Sequence, residues 1–386
     1  MKSKILYIHH AGELGGAPKS LSILLNGLDK NYFIPHVFML INGPAKVLFL
    51  KEKVEVTFSK WRLFAFHGTT VSGMSFKLFI KNILHVLPNI FAAFKIINKV
   101  KPDIIHLNTS CLFVYGMVAK IFFKEIKVIS HIREPLLDNI HGKVLKFFNR
   151  TFVDFFIPIN NFESEAFLGK PLEVIKNSID KNLYKFDISI RNNERSKMLL
   201  GNSSFIIGFF ARFNIENGIE DLLKICQRLK ILDKDIKILI FGFEPNILTE
   251  NIKIIAKSMP DNVILNGMVN NVHNKMQIID LLISPFKTPH FSRSIIEAQS
   301  LSIPVIVSNV SSQNTLFEYE KTGFSYDFGN IEEAVLNILK LKNDKGLYES
   351  MKTNSRIYAE ANFCHKNNNQ KVYNIYNKLI KKEIHV

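Results

Sequence analysis

Short apolar runs alternate along the chain with longer stretches whose apolar positions recur at helical spacing. Strands joined by crossover helices leave that pattern. A strand covered on both faces reads as continuous apolar sequence, whereas its covering helix is apolar on one side only. In the first half the pattern predicts strands at Ile5 to His9, His36 to Ile41, Ile104 to Leu107, Lys127 to Ile132 and Phe155 to Ile159. Helices are expected near 18–28, 76–100, 112–124, 140–152 and 161–168. The second half repeats the scheme, with strands at Phe205 to Ala211, Lys237 to Phe241, Val263 to Leu265, Leu281 to Ser284 and Pro304 to Ser308. Its helices are expected near 217–231, 246–258 and 292–301.

Between the halves, the stretch from Asn177 to Ser203 is rich in Asn, Lys, Asp and Ser and lacks periodicity, so it reads as a hinge. The expected class is α/β, with two doubly wound Rossmann-like domains over 1–176 and 177–365. A cleft between two such domains is a usual ligand site. In the final segment, 366–386, Val372, Ile375, Tyr376 and Leu379 stand at helical spacing against a Lys-rich face. That helix is expected to cap a domain, packing back on the first.

Composition agrees with two cores, because 386 residues at 47% hydrophobic exceed what one core usually holds. Cys111, Cys226 and Cys364 are odd in number and widely spaced, which argues against a disulfide framework or a zinc site and for a reducing compartment. The apolar start is interrupted by His9, His10 and Glu13, as in a buried first strand and unlike a signal peptide. The uncharged stretch from Ile104 to Ala119 is too short to span a bilayer and contains His106, Asn108 and Thr109, so no transmembrane helix is expected. A cytoplasmic location, at most peripheral to the inner face of a membrane, follows.

Charge then separates the halves. The net charge is +16, and residues 1–160 carry 21 Lys or Arg against 9 Asp or Glu. A basic field of this kind suits nucleic acid, anionic lipid or diphosphate-bearing small molecules. No recognition motif or stacking platform accompanies it, so nucleic acid is not the expected partner. Phe residues beside Lys and Arg, as in Phe76 to Lys81 and Lys143 to Arg150, have helical spacing. They fit equally a core-facing stripe with a solvated basic face and a helix lying on an anionic membrane surface.

Three segments carry candidate chemistry. After the first strand, Gly12-Glu-Leu-Gly15-Gly16-Ala-Pro18 leads into a helix, where glycines let backbone amides approach an anion or a sugar. A plain tight turn is the alternative. At the mirrored place in the second half, Arg212 follows an apolar strand and offers a fork of donors to a diphosphate, or else pairs with Glu216 or Asp221. The third is Pro289-His290-Phe291-Ser292-Arg293-Ser294-Ile295-Ile296-Glu297, followed by Ser302-Ile303-Pro304. Ser292 can cap a helix whose start presents amides to an anion, and Glu297 suits a ribose diol.

In this order, the Gly15-Gly16 loop, Ser130 to Glu134, Val174 to Asp180, the Arg212 loop, Phe291 to Glu297 and Lys321 to Phe324 resemble retaining glycosyltransferases of family 4, which have the GT-B fold. The resemblance spans nearly the whole chain. It implies two Rossmann-like domains facing across a cleft, a nucleoside-diphosphate sugar as co-substrate, no other cofactor and no bound metal. A missing Asp-x-Asp motif agrees with that. Arg212 would hold the donor diphosphate, Glu297 the nucleotide ribose, and His131 would sit near the transferred sugar. Gly15 and Gly16 would line the acceptor side or the donor phosphates, and Phe291, Ser292 and Arg293 would build the nucleotide platform. The acceptor implied is a hydroxyl of a glycan, lipid-linked in the favoured picture.

Two departures from the family pattern matter. Asn217-Gly218 stands where Lys-Gly is usual, and Pro289 stands eight residues before Glu297 where a second glutamate is usual. His290 and Lys287 are the candidates to fill the vacant sugar contacts. A degenerate nucleotide-sugar-binding scaffold is therefore the main alternative to an active transferase, with a nucleotide-sugar epimerase on the same fold further behind.

Overall fold

The computed structural model describes residues 2–70, 75–180, 182–245, 248–269, 271–289, 291–310 and 312–381. Two compact units divide the chain: residues 1–178 with 365–386, and residues 179–364.

The first unit holds a parallel sheet of β1 (Ser3–His9), β2 (Phe33–Met39), β3 (Glu55–Phe58), β4 (Ile104–Leu107), β5 (Lys127–Ile132) and β6 (Phe155–Pro158). Their spatial order is β3-β2-β1-β4-β5-β6. Helices α1 (Gly16–Asn26), α2 (Lys46–Lys51), α3 (Phe76–Leu84), α4 (Val86–Val100), α5 (Phe113–Phe122) and α6 (Ile140–Phe152) connect them, and α7 (Asn161–Ser164) follows β6. Along β1, Leu6 and Ile8 enter one apolar cluster while Ile5 and Tyr7 enter another, so alternate side chains are buried on opposite faces. That two-sided burial explains the continuous apolar runs.

In the second unit the helices are α8 (Ile188–Lys197), α9 (Ile219–Leu232), α10 (Glu250–Lys257), α11 (Val272–Met276), α12 (Arg293–Ser300), α13 (Ile331–Asn343) and α14 (Lys345–Phe363). The strands are β7 (Ile206–Phe210), β8 (Lys237–Phe241), β9 (Val263–Asn266), β10 (Leu281–Ser284), β11 (Val305–Ser308) and β12 (Gly323–Tyr326). Their order, β12-β11-β10-β7-β8-β9, is the same doubly wound order as in the first sheet. In each sheet the strand order reverses direction beside the first strand, between β1 and β4 and between β7 and β10. Doubly wound sheets bind their ligands at such places, beyond the C-terminal ends of the strands.

Helix α15 (His365–Lys381) ends the described chain and belongs to the first unit. Its Val372, Tyr373, Ile375 and Tyr376 are buried in the cluster that contains Leu21, Leu24 and Leu25 of α1. Asn369 Nδ2 donates to the Ile23 carbonyl at 2.8 Å, and the Tyr373 hydroxyl donates to that of Leu24 at 2.6 Å.

Three features differ from the sequence-based expectation. The stretch 177–203 contains α8, a helix with almost no apolar stripe. It is fixed instead by Arg191 and Arg195, whose Nη2 atoms reach Asp280 at 2.5 and 2.7 Å. Periodicity could not reveal it. The edge strands β3 and β12 were not anticipated, because β3 has no fully buried residue and β12 interleaves Gly323 and Ser325 with its two aromatic residues, so neither reads as an apolar run. Among the described residues, the apolar segment that meets the length and composition needed to cross a membrane is Phe76–Val100, not Ile104 to Ala119. The latter forms β4 and the buried first part of α5.

Candidate functional site

At the reversal point of the first sheet, β1 ends on His9 and β4 runs into Asn108. These two residues meet, with Asn108 Nδ2 2.9 Å from His9 Nδ1. Arg133, just past β5, donates from Nε to the Asn108 carbonyl at 3.0 Å and from Nη2 to Asn108 Oδ1 at 2.7 Å. Its Nη1 donates to Asn177 Oδ1 at 2.8 Å. The guanidinium is buried, and its charge also acts on the neighbouring Glu134 carboxyl.

That charge acts on the neighbouring imidazoles. His131, the next-to-last residue of β5, lies with Nδ1 2.9 Å from His106 Nε2. His106 Nδ1 in turn lies 2.6 Å from the Tyr376 hydroxyl of α15. Burial, then Arg133, then His106 holds His131 well below the usual histidine range. Burial and Arg133 bring His106 down to about 3, and burial, His67 and Arg133 bring His10 down to about 4. At neutral pH these rings are therefore uncharged hydrogen-bonding groups. Of the two expectations for His131, a satisfied strand-end histidine is what the contacts describe. Nδ1 is satisfied by His106, and the residue keeps 7% of its surface exposed.

The Gly15-Gly16 loop lies at the start of α1. Gly15 occupies the N-cap position without a side-chain cap, and a Cβ placed there would meet nothing within 4 Å. The loop is open, as either a binding turn or a plain turn would be.

In the second unit the corresponding place is built by the loop after β7 and the end of β10. Gly218 starts α9 with φ of 77°, and a Cβ there would lie 1.6 Å from the Pro285 carbonyl oxygen. Only glycine permits this approach, which packs the Arg212 loop against the segment after β10. Arg212 is exposed, and among the described residues it forms no ion pair with Glu216 or Asp221. The Asp221 carboxylate instead accepts from the Gly329 amide at 2.8 Å. Asn217 turns back, its Nδ2 donating to the Arg212 carbonyl at 2.7 Å. Lys287 joins this edge, its amide donating to the Glu216 carbonyl at 3.0 Å while its ammonium stands 3.6 Å from Glu220.

Helix α12 follows. Ser292 occupies its N-cap position, but its hydroxyl lies 2.9 Å from that of Ser294 and does not cap the backbone. The expected side-chain cap is therefore absent, because the two hydroxyls satisfy each other. Glu297, 4% exposed, accepts from Arg293 Nε at 3.3 Å across one helical turn. It also takes the hydroxyl of Tyr184, whose phenol is pushed up by burial and by that carboxylate. A ribose diol would share Glu297 with these two groups. Phe291 is buried beside them in sequence. His290 lies outside the described residues.

Sequence reasoning missed Asn108, His106, Tyr376 and Tyr184. His106 and Asn108 were visible as polar interruptions of an apolar stretch. Tyr376 joins His106 across 270 residues, and no local signal marks it.

Residues 190–358 match the family described as Glycosyl transferases group 1. The match lies within the second unit. Over 375 residues the chain is 22% identical to the capsular polysaccharide biosynthesis glycosyltransferase CapM of Staphylococcus aureus, covering 89% of this chain and 97% of that protein. It is also 22% identical over 285 residues to the UDP-Gal:alpha-D-GlcNAc-diphosphoundecaprenol alpha-1,3-galactosyltransferase of Escherichia coli, covering 69% and 73% respectively. Among solved structures, HepE of Anabaena in complex with UDP and glucose superposes with a TM-score of 0.80 at 20% identity, covering 97% of this chain and 99% of that one. The fold is GT-B, and together the matches support a GT-B glycosyltransferase.

Proposed function

We propose that this protein transfers a sugar from a nucleoside-diphosphate sugar, with UDP as the favoured nucleotide, to a hydroxyl of a lipid-linked glycan in surface polysaccharide assembly. The observation that carries the donor half of this reading is the edge at the reversal point of the second sheet. There Gly218 brings the exposed Arg212 loop against Pro285 and Lys287, inside the glycosyl transferases group 1 match. Two cations at a strand-end crevice suit a diphosphate. The UDP bound by HepE and the UDP-galactose and undecaprenol named for the E. coli relative support the nucleotide and the acceptor class.

In this reading Arg212 contacts the donor diphosphate and stabilises it as it leaves, and such a donor contributes on the order of 3 kcal/mol to a transition state. Glu297 contacts the ribose. Phe291, Ser292, Arg293 and His290 frame the nucleotide and sugar, Gly15 and Gly16 approach the substrate through backbone amides, and His131 hydrogen-bonds a sugar hydroxyl as a neutral imidazole. Transfer proceeds with retention and without a bound metal, a reading that rests on the family resemblance. The protein works in the cytoplasm.

Asn217 favours a second reading. Its side chain is occupied by the Arg212 carbonyl, so no cation stands at that position, and a scaffold that binds nucleotide without turnover would tolerate this. A panel of nucleotide sugars, screened by protection against thermal unfolding and then by transfer to a polyprenyl-diphosphate sugar, separates the two. Transfer that falls at least tenfold in Arg212→Ala supports the enzyme. Protection by a nucleotide sugar without transfer or donor hydrolysis supports the scaffold, and absence of protection by any nucleotide overturns both.

A further inference from the structure

Helices α3 and α4 are separated by His85 alone, which keeps right-handed helical angles, so Phe76 to Val100 reads as one nearly continuous rod. One side of this rod is fastened to the first unit by polar as well as apolar contacts. Asn82 exchanges hydrogen bonds with the His67 backbone at 2.9 and 2.7 Å. Asn89 donates to the Phe64 carbonyl at 2.8 Å and accepts from the Tyr115 hydroxyl at 3.1 Å. Ala93, Ile96, Ile97 and Val100 continue this side into the core.

The opposite side is apolar and exposed. Phe76, Ile80, Ile83, Leu84, Leu87 and Phe91 are between 43% and 77% exposed. Their spacing follows the helical period, so they form one stripe about 22 Å long. At its end Trp61, exposed by 66%, faces Leu87 and Phe91 across an open apolar pocket of about 240 Å³. Soluble surfaces seldom carry an uninterrupted apolar stripe of this length without a partner.

The charges around it say which partner. From Val56 to Pro102 the sequence holds seven Lys or Arg and no Asp or Glu. Lys77 and Lys95 are exposed beside the stripe. A second copy of the chain would bring the same positive charge against it, and a bilayer-crossing role would require releasing Asn82 and Asn89 from their partners. A helix with one apolar face, basic flanks and an exposed tryptophan at its edge is suited to lie in the interface of a negatively charged membrane.

We infer that the outward stripe of α3 and α4, with Trp61 at its edge, is a docking surface for an anionic lipid bilayer, on which the first unit lies without crossing. This inference does not depend on the nucleotide specificity of the second unit.

The test uses the full chain and vesicles of phosphatidylcholine with 30% phosphatidylglycerol, against phosphatidylcholine alone. Trp61 is the only tryptophan, so its emission reports directly on the stripe. The expected result is a blue shift and co-sedimentation with the anionic vesicles. Binding should be at least tenfold weaker to neutral vesicles and should weaken in 0.5 M NaCl. Phe76→Ser with Leu84→Ser and Phe91→Ser, and separately Lys77→Glu with Lys95→Glu, should each reduce anionic-vesicle binding by tenfold or more while leaving UDP binding and the thermal midpoint near wild type. Unchanged Trp61 emission with anionic vesicles overturns the inference. So does a stripe variant that binds as wild type does, or a concentration-dependent dimer lost in the stripe variant without vesicle binding. Should the triple variant not fold, the lysine pair and Trp61 emission of the unaltered protein still decide.

Discussion

His106 Nε2 lies 2.9 Å from His131 Nδ1, and this contact ties a candidate sugar-binding histidine to the C-terminal helix through the Tyr376 hydroxyl on the other side of the His106 ring. Both rings are neutral, so each link needs one donor and one acceptor, and the protons along the chain must point one way. If Tyr376 donates onward to Tyr7, 3.3 Å away, then His106 donates to Tyr376, and His131 donates from Nδ1 to His106. His131 Nε2 is then left as an acceptor for a hydroxyl. The reverse order makes Nε2 a donor.

Tyr376→Phe keeps the ring volume and removes only the hydroxyl, leaving His106 Nδ1 buried without this partner. The cost expected is roughly 1–3 kcal/mol of unfolding free energy, measured by urea denaturation. A variant as stable as wild type would show that the link carries little.

Gly218→Ala is expected to be among the most damaging single changes in the second unit, since the new methyl would meet the Pro285 carbonyl and the backbone has φ of 77°. A loss of about 3 kcal/mol or more is expected, together with at least tenfold weaker UDP binding as the Arg212 loop moves. Circular dichroism on heating and a UDP titration check both effects, and unchanged values would contradict the packing described.

The buried histidines make stability depend on pH. In the unfolded chain an imidazole takes its proton near pH 6.5, whereas folded His10 does so only near 4 and His106 near 3. Between those values the unfolded state binds more protons, so stability is full above about pH 6.5 and falls as pH drops, by about 1.4 kcal/mol per unit for each such group. Urea unfolding at pH 7.5 and at pH 5 should show the lower midpoint at pH 5. Replacing His106 by Gln should flatten that slope.

Glu163 has the opposite sign. It is 2% exposed, among the described residues its carboxylate has no side-chain partner, and burial pushes it up to about 8 from 4.5. Its stabilising effect is complete below about pH 4.5 and is lost as pH rises toward 8. Glu163→Gln should therefore stabilise the protein at pH 8, by an amount on the order of 3 kcal/mol, and hardly at all at pH 5. A gain of equal size at both pH values would point to packing instead of titration.

Much of the architecture was legible because both sheets are covered on two sides, so that β1, β4, β5, β7 and β10 stand out as apolar runs. Helix α8 was hidden because Arg191 and Arg195 fasten it to Asp280 through charge, which leaves no hydrophobic period. Of the candidate site, Arg212 and Glu297 were readable from position alone. The partners of Glu297 were not, since Tyr184 reaches it from more than a hundred residues away and leaves no mark near α12. Asn217 was legible as a departure, and the structure supplies its local role: the side chain closes the Arg212 loop.

The central claim is that the second unit binds a nucleoside diphosphate through Arg212 and Glu297. Calorimetric titration of UDP into the purified wild type, Arg212→Ala and Glu297→Gln tests it most directly. The account predicts saturable 1:1 binding by the wild type and at least tenfold weaker binding by each variant, as loss of a charge-assisted hydrogen bond worth about 1.5–3 kcal/mol requires. Absence of UDP binding by the folded wild type, or equal affinity in all three proteins, would contradict it.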